Sequence, residues 1–238
     1  MLSRLERAGK VRLHAQLASD PRAHAWTLSL YRAGEKHPET VSDYFPCERA
    51  KERWPELAAS MKRHAGDERG HAALYAKAIE RMGERVLEID DGDVFNVVIR
   101  QHTRASWRID EADDMDAVRL KLAHFLAHAH HLEKRISGSL RFHHEGCVRA
   151  GRDDVRATVE RVLADEERHV SYTREAAIEL TTHREREDVM RAHAEGESRA
   201  DRAFSARQLR TLLAQHGGSL PLGDRIFYAA SAFVMEQA

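Results

Sequence analysis

Cysteine is almost absent from this chain of 238 residues, which contains only Cys47 and Cys147. Two isolated cysteines exclude a disulfide-stabilised scaffold, a zinc ribbon and a rubredoxin-type iron site, because each of these needs several cysteines. Low cysteine usage is typical of proteins in reducing compartments, so we expect a cytoplasmic protein.

The chain also lacks a large net charge and a long apolar run. Its 38 Lys and Arg residues against 39 Asp and Glu residues give a formal charge of −1. We therefore expect no nucleic-acid partner, although a local basic patch would suffice for a substrate such as tRNA. The longest apolar segment, 226–235, is about half of the roughly 18 residues that a membrane span requires, so we expect no membrane partner.

Glycine, proline, valine and isoleucine are scarce, with only 13 glycines and 5 prolines. Apolar residues recur three and four positions apart, so we expect an all-α fold without strands. The expected helices cover about 3–18, 21 to a kink or end at Pro38, 55–82, 94–107, 116–146 and 154–181, with one or two more between 184 and 235. Residues 1–238 should form one domain, with a bundle core at about 21–182 and a C-terminal helical extension at about 184–238.

The motif Glu-x-x-His occurs twice, from Glu68 to His71 and from Glu166 to His169. Both copies lie inside long expected helices. Residues three apart share one face of a helix, so each copy can present a carboxylate and an imidazole to the same metal ion.

Two further glutamates extend this repeat. Glu35 precedes Glu68 by 33 residues, and Glu133 precedes Glu166 by 33 residues, so a Glu…Glu-x-x-His unit recurs at an offset of 98. Antiparallel helices joined by a turn bring residues equidistant from the turn side by side. Two packed hairpins would therefore collect four glutamates and two histidines around one interior point, the ligand set of di-iron and di-manganese carboxylate proteins.

The two extra glutamates are also isolated from other carboxylates. Glu35 is the first carboxylate after Asp20, and Glu133 is the only one between Asp116 and Glu145. A lone charge on an otherwise apolar helix is costly to bury unless a cation neutralises it. This isolation favours a role as metal ligands for Glu35 and Glu133 over solvated surface positions.

On these residues, together with Asp67 and Asp165 before the two motifs, the chain resembles the ferritin-like superfamily. The resemblance covers about 21–180 and is closest to the rubrerythrin-like and di-iron oxygenase branches. It implies a four-helix bundle with a long crossover between helices 2 and 3, supplied by 84–114, and extra N- and C-terminal helices. The cysteine-ligated iron of rubrerythrins has no counterpart here, and Pro38 is unusual for a bundle helix.

The resemblance also implies two bound iron ions, with manganese as an alternative. The implied ligands, which would also be the catalytic residues, are Glu35, Glu68 and His71 for one ion and Glu133, Glu166 and His169 for the other. Glu68 and Glu166 would bridge the ions. Asp67 and Asp165 would accept hydrogen bonds that fix the histidine tautomers.

Other polar and aromatic residues near the motifs are expected to have supporting roles. His64 and His130 lie one turn before Glu68 and Glu133 and could reach the metal cavity, but we expect them to be second-layer or core histidines. The remaining expectations are core aromatic positions for Tyr31, Tyr75 and Tyr172, and mostly surface positions for His128, His131, His143 and His144.

The expected function is a di-iron oxidase or oxygenase that activates O₂ or peroxide. It would act on a small organic substrate with an external electron donor, and a homodimer is one expected assembly. The alternatives are ferroxidase or rubrerythrin-like handling of iron or peroxide and, in a different class, a metal-free helical interaction protein.

Overall fold

The scarcity of glycine and proline leaves long uninterrupted helices in the computed structural model, which describes residues 4–237. These residues form nine α-helices and two single 3₁₀ turns, with no strand among them. The helices are α1 Arg4–Ser19, α2 Pro21–Thr40, α3 Cys47–Lys51, α4 Pro55–Arg81, α5 Phe95–His102, α6 Met115–Ala150, α7 Asp153–Glu179, α8 His183–His216 and α9 Leu222–Gln237. The expected helix start at residue 3 lies outside the described range. Within 4–237, every helix is too short or too polar to cross a membrane.

Two helical hairpins form the centre of the structure. Helix α2 packs along α4, α6 packs along α7, and α4 contacts α7. One apolar cluster includes Met61 of α4 and Phe125 of α6, and a second includes Tyr75 of α4 and Leu140 of α6. The segments between these clusters on both helices carry the predicted site residues, so apolar packing encloses the site at both ends.

Several helix boundaries differ from those expected. Helix α2 continues past Pro38 to Thr40. Proline can lie here because it removes only one hydrogen bond from the last turn. Helix α5 ends at His102 and not at 107. Helix α6 runs through Gly146 to Ala150 and ends at Gly151, whose φ of 67° is the left-handed conformation that glycine adopts readily.

Gly146 therefore lies inside α6, where it has a packing role. Helix α1 crosses α6 at this point, and a Cβ atom at 146 would lie 2.6 Å from the backbone carbonyl carbon of His14. Such a distance is far inside van der Waals contact. The lack of a side chain at Gly146 thus permits the close approach of α1 to α6.

We expect Gly146→Ala to destabilise the protein by about 1–3 kcal/mol, because the added methyl group pushes α1 away from α6. Gly138→Ala is the matched control, since Gly138 lies in the same helix and nothing is within 4 Å of an added Cβ. The control should gain about 0.5–1 kcal/mol from higher helix propensity. Urea unfolding followed by circular dichroism measures both, and equal effects would contradict the packing role.

Candidate metal centre

Four helices contribute the six predicted ligand residues to one buried cluster. Glu35 lies on α2, the first Glu-x-x-His motif on α4, Glu133 on α6 and the second motif on α7. All six side chains are between 0% and 5% exposed. The helix spacing and the hairpin pairing thus bring together the residues that the repeat singled out.

The ligand atoms of the cluster form two groups, and within each group they lie within 4.8 Å of one another. The Glu35 group consists of Glu35, Glu68, His71 and Glu166. The Glu133 group consists of His64, Glu68, Glu133 and His169. Glu68 belongs to both groups, whereas Glu166 falls with Glu35 and not with Glu133.

Glu166 nevertheless lies between the two groups. Its Oε1 atom is 3.5 Å from His71 Nδ1, and its Oε2 atom is 3.5 Å from His169 Nδ1. Neither oxygen has a hydrogen-bond partner, and His169 Nδ1 also has none. The two carboxylates that the family resemblance implies as bridges are thus the two that contact both groups.

The second nitrogen of each motif histidine contacts an aspartate from the opposite hairpin. His71 Nε2 is 3.2 Å from Asp165 Oδ2, and His169 Nε2 is 3.1 Å from Asp67 Oδ2. With the N–H directed at the aspartate, the bare Nδ1 of each ring faces the glutamates. This is the tautomer that a metal ligand requires.

Arg168 holds both aspartates in place. Its Nη2 is 2.7 Å from Asp67, and its Nη1 is 2.9 Å from Asp165. Partial burial would raise the pKa of Asp67, but hydrogen bonds from His169 and Arg168 outweigh it and lower that pKa below its ordinary value. Asp67 is therefore ionised at neutral pH and accepts the histidine N–H.

His64 is buried, as expected, and its ring nitrogen belongs to the Glu133 group. Its Nε2 lies 3.2 Å from Glu68 Oε1 and 3.4 Å from Glu133 Oε1. Its Nδ1 lies 2.7 Å from the hydroxyl of Tyr172. The repeat gave no signal for His64, because the offset of 98 pairs it with Val162.

The other histidines of α6 are more buried than expected. His128, His130 and His143 are all buried, so the prediction of mostly surface positions for this set was wrong for His128 and His143. The reason is that α1, α7 and α8 cover α6 from several sides. His130 has the expected core role, since its Nδ1 lies 3.1 Å from the carbonyl oxygen of Val170.

Within the described residues, the glutamates of the centre have no lysine or arginine side chain to neutralise them, and their ion-pair partners are histidines. Burial would lower the pKa of His64, but Tyr172, Glu133 and Glu68 outweigh it and raise that pKa well above its ordinary value, so His64 is the cation beside Glu68 and Glu133 in the metal-free protein. Burial raises the pKa of Glu35 and Glu166 well above the ordinary value and that of Glu68 to about 8. Burial would also raise the pKa of Glu133, but its hydrogen bond with His64 lowers it.

The residues present suit two metal ions. Four carboxylates balance the charge of two divalent cations, and the unpaired atoms of Glu166 and His169 are free to act as ligands. Buried polar atoms without partners are rare because each costs free energy, and a bound metal ion would give these atoms a partner. The cluster can therefore hold metal, with oxygen and imidazole nitrogen as donors.

Comparisons with known proteins add no assignment, since no protein-family model, curated protein or solved structure matches the chain.

We expect the metal-free protein to lose stability as the pH rises from about 6.5 to about 8. The folded-state pKa of Glu68 is about 8, raised from 4.5. A raised pKa contributes stability that is present at low pH and is lost as the pH rises through the folded value. The loss should be about 1–2 kcal/mol over this interval. Urea unfolding in the presence of a chelator measures it.

Glu68→Gln, which cannot ionise, should flatten this pH dependence and make the metal-free protein more stable at pH 8. His169 does not offset the effect, because its pKa is lowered to about 4 and its contribution changes only below the ordinary histidine pKa of about 6.5. His64 acts in the same direction as Glu68, because its raised pKa also contributes stability that is lost as the pH rises, and Glu68→Gln removes part of that contribution too. Glu167→Gln, at an exposed neighbouring position, should keep the wild-type slope. A wild-type slope in Glu68→Gln would show that this carboxyl group is not the one titrating.

Proposed function

We propose that the chain is a ferritin-like protein with a dinuclear metal centre, an oxidoreductase that uses two iron or manganese ions to activate O₂ or peroxide. In this proposal α2, α4, α6 and α7 form the four-helix bundle, and 84–114 is the crossover between its second and third helices. The observation that carries it is the burial of four glutamates without a lysine or arginine partner. Such a cluster is far too costly to serve packing alone.

The donor set supports Fe(II) or Mn(II). Carboxylate oxygen is a hard ligand and imidazole nitrogen an intermediate one, a mixture that suits these ions better than a thiolate-seeking metal. When bound, two neighbouring redox-active ions supply two electrons, one from each, for the reduction of O₂ or peroxide.

The protein side chains prepare the site for this chemistry. Asp67 and Asp165 hold the motif histidines in the metal-binding tautomer. An aromatic wall excludes water near His64, since the Phe45 ring centroid is 4.9 Å from that of His64 and 5.7 Å from that of Phe125. A site shielded in this way limits loss of reducing equivalents to solvent.

Tyr172 orients a histidine of the centre. Its hydroxyl oxygen can accept a hydrogen bond from His64 Nδ1–H, which in the neutral ring leaves the lone pair of Nε2 facing Glu68 and Glu133. Among the described residues, the Glu133 group has such a tyrosine–histidine pair and the Glu35 group does not, so the two ligand groups differ. An unequal centre suits oxidation of a small organic substrate that approaches from one side, with electrons from an external donor.

Iron or peroxide handling is the second candidate. The same glutamates and histidines would serve it, because Fe(II) can be the substrate as well as the resident metal. The metal-free interaction module finds no support in a core that contains four carboxylates.

We expect the wild-type protein to retain two Fe(II) or Mn(II) ions per chain after anaerobic loading and gel filtration. Glu68→Ala should retain none, because Glu68 belongs to both groups, whereas Glu133→Ala should retain one. Glu167→Ala, at an exposed position beside Glu166, is the control and should retain two. Metal analysis with circular dichroism separates lost binding from lost folding. Two ions in folded Glu68→Ala would refute the ligand assignment.

Exposure of the anaerobic Fe(II) protein to O₂ separates the two functional candidates. An oxidase or oxygenase should consume O₂ in proportion to protein and keep both irons bound. Iron handling should instead consume O₂ in proportion to added Fe(II) and release ferric product over many turnovers. The measurements are oxygen uptake and iron in the protein fraction, with Glu68→Ala as the blank. Uptake equal to this blank would contradict both.

A further inference from the structure

A second cluster of metal-ligating side chains lies between α2 and α6, away from the glutamates. It consists of His24, His143 and Cys147, and each of these side chains is 0% exposed. His24 Nε2 lies 3.1 Å from His143 Nε2 and 3.9 Å from Cys147 Sγ. All three ligand atoms are within 4.8 Å of one another. His143 is ten residues beyond Glu133 on α6, about 15 Å along the helix axis, so the two clusters are separate.

The spacing of these atoms matches the requirements of a tetrahedral metal ion. A zinc–nitrogen bond of about 2.0 Å and a zinc–sulfur bond of about 2.3 Å place two nitrogen ligands about 3.3 Å apart, and nitrogen and sulfur about 3.6 Å apart. The observed distances of 3.1 Å and 3.9 Å differ from these by only a few tenths of an ångström. Small side-chain rotations would close the difference.

The protonation states of the histidines also suit a metal. Burial lowers the pKa of His24 to about 4 and that of His143 well below its ordinary value, so both rings are neutral at pH 7. Two neutral rings that face each other through Nε2 can share only one proton, and His24 Nδ1 has no hydrogen-bond partner. Hydrogen bonds among these three side chains therefore leave at least one of their polar atoms without a partner.

A third histidine contacts the cluster from outside. His14 Nδ1 lies 3.3 Å from Nδ1 of His143, on the side of the ring opposite His24. Histidine ligands commonly have their second nitrogen held in this way, which fixes the tautomer and aims the ligating nitrogen. The close approach of α1 at Gly146 brings His14 to this point.

We propose that His24, His143 and Cys147 form a mononuclear site for a thiolate-binding transition metal ion, Zn(II) in the first instance, with His14 as a positioning residue. Thiolate and imidazole together select zinc over the ions that suit carboxylates. Three protein ligands leave the fourth coordination position open to a water molecule or another small ligand. Binding replaces the thiol proton of Cys147, so one proton is released per ion.

Cobalt(II) is the probe, because a Co(II)–thiolate bond gives an intense near-ultraviolet charge-transfer band that glutamate and histidine ligands do not. We expect Co(II), titrated to three equivalents so that the dinuclear centre is also filled, to produce this band in reduced, metal-depleted full-length protein, and an equal amount of Zn(II) to bleach it. Cys147→Ser should lose the band. Cys47→Ser is the matched control and should keep it, since Cys47 lies on α3 and belongs to none of these groups.

Two more variants complete the test. Glu68→Ala should keep the band, which distinguishes this site from the dinuclear centre. The outcome of the cobalt test is therefore independent of the proposed function. His14→Phe should keep the band but bind Co(II) about tenfold or more weakly, because the outer support of His143 is lost. Absence of the band in folded wild type, or its loss in Cys47→Ser and not in Cys147→Ser, would overturn the proposal. Circular dichroism checks folding throughout.

Discussion

Burial of four glutamates at one interior point is the constraint on which the rest of this structure depends. An ionised carboxylate without a partner costs several kcal/mol in a protein interior, and here the helices place four together. The core must therefore be built around them. Apolar clusters enclose them at both ends, histidines occupy their remaining contacts, and burial holds the pKa of Glu35, Glu68 and Glu166 above the ordinary value.

The residues that surround the glutamates also fix how the two hairpins pack against each other. Each motif histidine is oriented by an aspartate of the other hairpin, and Arg168 contacts both aspartates. The contact between α4 and α7 is thus a charged, hydrogen-bonded seam and not only a packed surface. Ionised Asp67 holds His169 from outside the centre, while the glutamates inside remain available for a cation.

The sequence predicts the six buried ligand candidates because both copies of the repeat carry them and hairpin geometry places them together. It does not predict His64, because the corresponding position in the second copy of the repeat is Val162 and the two copies therefore do not match there. The burial of His143 depends on α1 packing across Gly146, a long-range contact that local helical periodicity does not report. Helix α2 continues for two residues beyond Pro38, because a proline in the last turn of a helix costs one hydrogen bond and not the whole turn.

The exchanged aspartates also bear on how the two halves of the chain are related. Asp67 contacts His169 as Asp165 contacts His71, which is the reciprocal pattern of an interface between two identical subunits. The hairpins therefore meet with a reciprocal, pseudo-two-fold pattern of contacts. Two identical subunits could not place a histidine on one side and a valine on the other, as the single chain does at His64 and Val162. Because both hairpins belong to one chain, the two ligand groups can differ while the contacts that orient them stay paired.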